Sequence, residues 1–182
     1  MDRKIVLFDQ DDVLADFQGE LLCRWMALHP DKPYVKLDEL VMFRPEEQYP
    51  PEYRPLVRDI FHAPGFFRDL PPVPGGLDAL LEISARGHDV FICTAPLVDY
   101  ENCVKEKYEW IDHHLGREWT SKIILTKDKT LVHGDHLIDD NPDIRGAATP
   151  SWEHIIYDMP YNRHINHKRR LSWDSDWRSV LL

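Results

Sequence analysis

The sequence is short of the features that mark several protein classes. Only three of its 182 residues are cysteine, namely Cys23, Cys93 and Cys103. They form no C-x-x-C pair and leave an odd thiol, which argues against a disulfide framework. Buried, unreactive thiols and a cytoplasmic location are the expectation. Long apolar runs are missing from the start of the chain. In MDRKIVLFDQ only Ile5 to Phe8 is uninterrupted before an aspartate, too short for a signal-peptide core or a membrane span. There are no low-complexity tracts, and 43% hydrophobic with 30% charged residues excludes disorder and fibrous repeats as good readings. Positive charge is scarce relative to negative, 22 Lys and Arg against 32 Asp and Glu, a balance of −10. Such a field disfavours polynucleotides. It still admits a small phosphorylated substrate, because a bound cation reverses the local sign.

What is present is the pattern of one compact core with a modest insertion. Ile5 to Phe8, Val90 to Cys93, Ile123 to Leu125 and Ile155 to Tyr157 are continuous apolar runs, as expected of central strands covered on both faces. Leu137 and Ile138 form a shorter one. Between them lie helical periodicities: Phe17, Leu21, Trp25 and Leu28; Val104, Tyr108, Ile111 and Leu115, from Asp99 to Gly116; and Leu77, Leu80, Leu81 and Ser84, from Gly76 to Arg86. Alternating strands and helices predict an α/β fold with a mostly parallel, doubly wound sheet and ligands at the carboxyl ends of the strands. The stretch from about Pro30 to Pro74 holds most of the prolines and no obvious strand. It reads as a small helical cap inserted after the first strand and helix, with Tyr49, Phe61, Phe66 and Phe67 as its own apolar supply.

The residues that carry chemistry follow strands. Phe8-Asp9-Gln10-Asp11-Asp12 puts two carboxylates two residues apart directly after a buried strand, aimed the same way. One can attack phosphorus while the other moves a proton. Capping of the next helix is the bland alternative. Asp139-Asp140, again after an apolar run, adds the oxygen ligands a hard divalent cation requires. Lys129 after the third strand supplies a cation, and Thr94 after the second a hydroxyl. The ten histidines include no H-E-x-x-H and none beside a cysteine, so they read as hydrogen-bonded or solvated. His167-Lys168-Arg169-Arg170 reads as a solvated face or a partner to nearby acids, and Trp152, Trp173 and Trp177 as core.

The ordered set of D-x-D, hydroxyl, lysine and acidic pair, each after a strand, resembles the haloacid dehalogenase superfamily of phosphatases. FDQDDVLADF, APGFF, VFICTAP, KYEWI, IILTKDKT, LIDD, SWEHI, NRH and LSW further resemble the 5'(3')-deoxyribonucleotidases of cytosolic and mitochondrial type, over nearly the whole chain. The resemblance implies a Rossmann-like core of residues 1–16 and 75–182 with a helical cap over residues 17–74. It also implies hydrolysis of nucleoside monophosphates through an aspartyl-phosphate intermediate, with Mg2+ as cofactor, a small nucleotide as partner and a homodimeric habit. By the same resemblance Asp9 is the nucleophile and Asp11 the acid/base, with Thr94 and Lys129 completing the catalytic set. Asp9, Asp11 (through its backbone carbonyl) and Asp140 hold the metal, Asp139 being second choice. Phe17, Phe43, Phe61, Thr94, Ala95, Lys127 and Lys129 bind substrate.

The chain departs from the family pattern at Gln10 and Asp12, where Met and Gly are usual, and at Ala95 and Lys127, which replace a serine and an arginine. Arg44 stands where the mitochondrial form has an aromatic residue. These departures keep two alternatives open: another small phosphomonoester as substrate, or a non-enzymatic module in which Asp9 is phosphorylated or binds an ion.

Overall fold

The structure is a computed structural model and describes residues 2–181. Six parallel strands form one sheet: β1 (Ile5–Phe8), β2 (Asp89–Thr94), β3 (Ile123–Leu125), β4 (His136–Asp139), β5 (Glu153–Tyr157) and β6 (Arg170–Leu171), in the order β3-β2-β1-β4-β5-β6. Five helices accompany them: α1 (Phe17–Leu28), α2 (Arg54–His62), α3 (Gly76–Ala85), α4 (Tyr100–Leu115) and α5 (Trp177–Leu181). This is the doubly wound α/β order, in which β1 and β4 meet where the chain reverses direction across the sheet and ligands sit beyond the strand ends. No helix among the described residues is long and apolar enough to cross a membrane.

Strand β1 shows why an unbroken apolar run is needed at the centre. Val6 and Phe8 enter the larger core cluster with Val90, Ile92, Ile138 and Ile155, while Leu7 joins Cys93, Leu137 and Trp152 on the other face. The buried apolar side chains of the helices all belong to the larger cluster. The crossovers from β3 to β4 and from β4 to β5 contain no α-helix, and Val132, Ile144 and Trp152 from irregular chain cover the second face instead. Strand β3, expected as central, is an edge strand with all three residues half-buried. Strand β6 had no sequence signal, because two residues are too few to show periodicity.

Three helical faces differ from their expected ones. Leu28 ends α1 62% exposed, in the last turn of the helix. Helix α3 buries Gly76, Ala79, Leu80 and Ile83 and turns Leu81 outward. A Cβ at Gly76 would lie 3.0 Å from Trp173 Nε1 and 3.1 Å from the Val13 carbonyl oxygen, so only glycine lets α3 start this close to the loop after β1. Helix α4 buries Cys103, Glu106, Lys107, Trp110 and Ile111, one position round from the predicted stripe, leaving Val104, Tyr108 and Leu115 half-buried. Its buried charges find partners, which hydropathy cannot foresee. Trp152, Trp173 and Trp177 are core residues as expected, and Trp173 donates from Nε1 to the Val13 carbonyl at 2.7 Å.

Between α1 and α3 the chain holds 3-10 turns at Leu37–Glu39 and Pro45–Gln48, helix α2, and no strand of the sheet. Phe17 packs against Phe61, Phe66 and Phe67 with ring centroids 5.1 to 5.9 Å apart. The two chains leading in and out pair at Ala15 and Pro72, and Asp16 N–H donates to the Pro71 carbonyl at 2.8 Å. From the core side, Glu106 accepts the N–H groups of Gly65 at 2.6 Å and Phe67 at 3.1 Å, and Trp110 Nε1 donates to the Leu70 carbonyl at 2.7 Å.

Candidate active site

Register brings the strand tips together. Phe8 lies beside Ile92 on one flank and Ile138 on the other, so Asp9, Thr94 and Asp139 all fall at one edge of the sheet. Asp9 N–H extends the ladder to the Ile138 carbonyl at 2.9 Å, and Thr126 N–H bonds the Thr94 carbonyl at 3.1 Å, carrying the segment to Lys129 to the same edge. There a cleft of about 190 Å³ opens between the sheet and the 17–74 segment, and Asp9, Asp11, Phe17, Phe43, Ala95 and Asp140 line it.

The turn after β1 is fixed by its backbone. Leu14 and Ala15 N–H both donate to the Gln10 carbonyl, at 2.9 and 2.8 Å. Asp12 adopts φ 58°, a left-handed conformation that explains why glycine suits this position and why aspartate, among the more tolerant residues, can replace it. Helix α1 is capped by Asp16 accepting from Gly19 N–H at 2.9 Å, and Asp12 Oδ1 accepts from Gln18 N–H at 2.8 Å. Those caps leave Asp9 and Asp11 outside the helix-capping role.

Lys129, 7% exposed, bridges Asp9 Oδ1 at 2.9 Å and Asp139 Oδ2. Burial pulls its pKa down, but Asp139 and Asp9 outweigh that and hold the ammonium charged. Asp9 Oδ1 also accepts Gln10 N–H at 2.8 Å, which leaves Oδ2 without a bond from the described residues. Both Asp139 oxygens are engaged, Oδ2 by Lys129 and Oδ1 by Asn141 N–H at 2.9 Å. Among the described residues no donor reaches Asp140 Oδ1, while its Oδ2 accepts from the Tyr161 hydroxyl.

Asp9, Asp139 and Asp140 each place an oxygen within 4.8 Å of the others. Burial and then the charges of Asp139, Asp12 and Asp9 push the Asp140 carboxyl well above the ordinary carboxylate range. A carboxylate cluster under such mutual repulsion fits a hard divalent cation. Asp139 accepts from two of the described donors and Asp140 from one through its side chain, so Asp140 has more carboxylate oxygen open to a cation.

Asp11 is held by a residue the sequence reading missed. Lys107 of α4 has no exposed surface and donates from Nζ to Asp11 Oδ2 at 2.7 Å and to Thr94 Oγ1 at 2.9 Å. Its ammonium also lies 5.1 Å from the Phe67 ring centroid. Burial raises the Asp11 carboxyl above its usual range, Lys107 opposes this and Asp9 adds to it. Among the described residues Asp11 Oδ1 and Gln10 Oε1 find no hydrogen-bond partner, though both are buried. Lys107 stands four residues after Cys103 and three before Trp110, a spacing that marks the buried face once Cys103 is counted as apolar.

The expected substrate residues divide. Phe17, Phe43 and Ala95 line the cleft, and Arg44 joins them at its mouth. Thr94 is buried beneath, tied to Lys107. Phe61 is absent from the cleft wall and buried in the aromatic cluster, where Phe67 takes the wall position instead. Lys127 is exposed and donates to the Pro96 carbonyl, bracing the loop after β2 from outside the cleft wall.

Known proteins match this arrangement. The family described as "5' nucleotidase, deoxy (Pyrimidine), cytosolic type C protein" matches residues 3–181. The human cytosolic-type 5'(3')-deoxyribonucleotidase is 46% identical, over 97% of this chain and 92% of its own. A Bordetella pertussis protein whose name carries the same activity provisionally is 54% identical, over 97% of this chain and 95% of its own. Among solved structures, a HAD family hydrolase from Deinococcus radiodurans with bound phosphate and sodium aligns with TM-score 0.63 at 16% identity, covering 98% of this chain and 95% of that one. The last likeness concerns the fold alone, whereas the first three concern sequence along nearly the full length. The chain belongs to the deoxyribonucleotidase-type, cytosolic type C 5'-nucleotidase family, on a haloacid dehalogenase-like hydrolase fold.

Proposed function

We propose that the chain is a Mg2+-dependent phosphohydrolase that converts (deoxy)nucleoside monophosphates to nucleoside and phosphate, with residues 17–74 acting as a cap over the site. The observation that carries this reading is the division of labour between two carboxylates. Asp9 is pinned through Oδ1 by Lys129 and Gln10 N–H with Oδ2 unengaged, and Asp11 beside it is clamped by a buried lysine. Asp9 Oδ2 attacks phosphorus, the bond from phosphorus to the leaving oxygen breaks, and Asp11 gives that oxygen its proton. Water then attacks the phosphorus of the aspartyl-phosphate while Asp11 takes up one of its protons, which frees phosphate and restores Asp9. Lys129 neutralises charge at the transferring group from its place between Asp9 and Asp139.

Asp9, the Asp11 backbone carbonyl and Asp140 would hold the cation, whose chemistry is to screen the repulsion between Asp9 and a phosphate dianion. Phe17, Phe43 and Phe67 supply the apolar wall against which a base can stack, with Arg44 as a donor at the mouth. The reduced thiols and the human cytosolic relative support a cytoplasmic setting. A purely ion-binding module has no use for a second carboxylate held by a buried lysine. Phosphate release with Mg2+ from a panel of nucleoside and sugar monophosphates tests the reading. Release from nucleotides that Asp9→Asn abolishes is expected, and no release from any monophosphate overturns it.

A further inference from the structure

The metal-site reading above is the basis of this inference, which concerns how Asp140 is held. Tyr161 lies in the 3-10 turn Pro160–Asn162 after β5 and is 3% exposed. Its hydroxyl donates to Asp140 Oδ2, occupying one carboxylate oxygen and leaving Oδ1 for a cation. The turn that carries it is itself locked. Asn162, with no exposed surface, donates from Nδ2 to the Asp140 carbonyl at 2.7 Å and the Tyr157 carbonyl at 2.8 Å. Arg170 of β6 then clamps Asn162, donating to its Oδ1 at 2.7 Å and its carbonyl at 2.9 Å, and to Asp158 Oδ1 at 2.6 Å. Sliding the turn would break several buried bonds at once.

The same tyrosine reaches the cap with its ring. Phe43 meets it edge to face, with centroids 5.8 Å apart and planes at 70°, and the Leu37–Glu39 turn packs on the Pro160–Asn162 turn. Phe43 is 40% exposed and lines the cleft. One side chain therefore touches a metal ligand through its hydroxyl and the cleft wall through its ring. We propose that Tyr161 is a positioning residue for both halves of the site, its hydroxyl orienting the Asp140 carboxylate toward the cation and its ring seating Phe43 for the nucleotide. A partner that orients a ligating carboxylate commonly changes metal affinity by 10-fold or more, so the effect is measurable.

The test separates the two halves on the full chain. Titration calorimetry of metal-free protein with Mg2+ should give a Kd about tenfold weaker for Tyr161→Phe than for wild type, on protein whose far-UV circular dichroism matches wild type. The Mg2+ concentration for half-maximal rate should rise in parallel. Tyr161→Leu, which also removes the ring, should add a severalfold rise in nucleotide KM, and Phe43→Ala should raise KM while leaving the Mg2+ Kd alone. A wild-type Kd in Tyr161→Phe overturns this inference while leaving the metal reading intact. Failure of wild type to bind a divalent cation overturns the metal reading and this inference with it.

Discussion

Lys107 Nζ lies 2.7 Å from Asp11 Oδ2 while having no surface open to solvent. A side chain so buried needs partners for its polar end, and Asp11 Oδ2 with Thr94 Oγ1 provides them. The arrangement makes α4, a helix of the core, responsible for the orientation of the Asp11 carboxylate and of the Thr94 hydroxyl after β2.

Replacing Lys107 with Met leaves the Asp11 carboxylate without its counter-charge. Breaking such a pair costs about 3 kcal/mol, and the freed side chain loses its fixed rotamer. Urea denaturation should show that loss, and steady-state kinetics should show kcat down by about a hundredfold with KM little changed. An unaltered kcat would remove Lys107 from the catalytic arrangement.

The neighbouring Glu106 ties down the 17–74 segment. Glu106→Gln replaces an acceptor of two backbone N–H groups with a side chain that can accept only one well, and the unpaired group costs about 1 to 3 kcal/mol. Hydrogen exchange at the Gly65 and Phe67 amides should accelerate while exchange in β1 stays slow. Equal acceleration throughout would point to global destabilisation instead.

His154 predicts a pH dependence with a definite sign. Burial lowers its pKa to about 4, opposed by the bond from Nε2 to the Asp139 carbonyl and aided by Lys168, which donates to Nδ1 at 2.9 Å. The unfolded chain, with a histidine pKa of about 6.5, binds the extra proton first as pH falls. This contribution to stability is therefore complete above pH 6.5 and is lost as pH drops toward 4. Between pH 7 and pH 5 the loss is about 2 kcal/mol. Measured without divalent cation, wild type should lose that much more stability over the interval than His154→Gln, and parallel curves would refute the assignment.

Removing the cation should act on both rate and stability. Excess EDTA is expected to reduce phosphate release to background, and restored Mg2+ to recover it. Because Asp9, Asp139, Asp140 and Asp12 repel one another in the folded state, Mg2+ at about 100 times its Kd should stabilise the protein by about 2.7 kcal/mol. Thermal denaturation with and without Mg2+ checks this, and Asp140→Asn should abolish most of the shift.

The local pattern was enough to place Asp9, Asp11, Thr94, Lys129 and Asp140 at one end of a parallel sheet. Each follows an apolar run, and parallel strands in doubly wound order must bring their carboxyl ends together. Strand β1 and the starts of α1 and α3 were legible for the same reason, being set by residues adjacent in the chain. What the tertiary structure alone decided involves partners far apart in sequence. Lys107 and Asp11 are separated by 96 residues, Tyr161 and Asp140 by 21, and Glu106 and Gly65 by 41. A buried charge looks like a surface charge in a hydropathy pattern, so the face of α4 was read one position off. Which oxygens of Asp139 and Asp140 remain for a cation, and whether Phe61 or Phe67 forms the cleft wall, depended on packing between elements that no local spacing encodes.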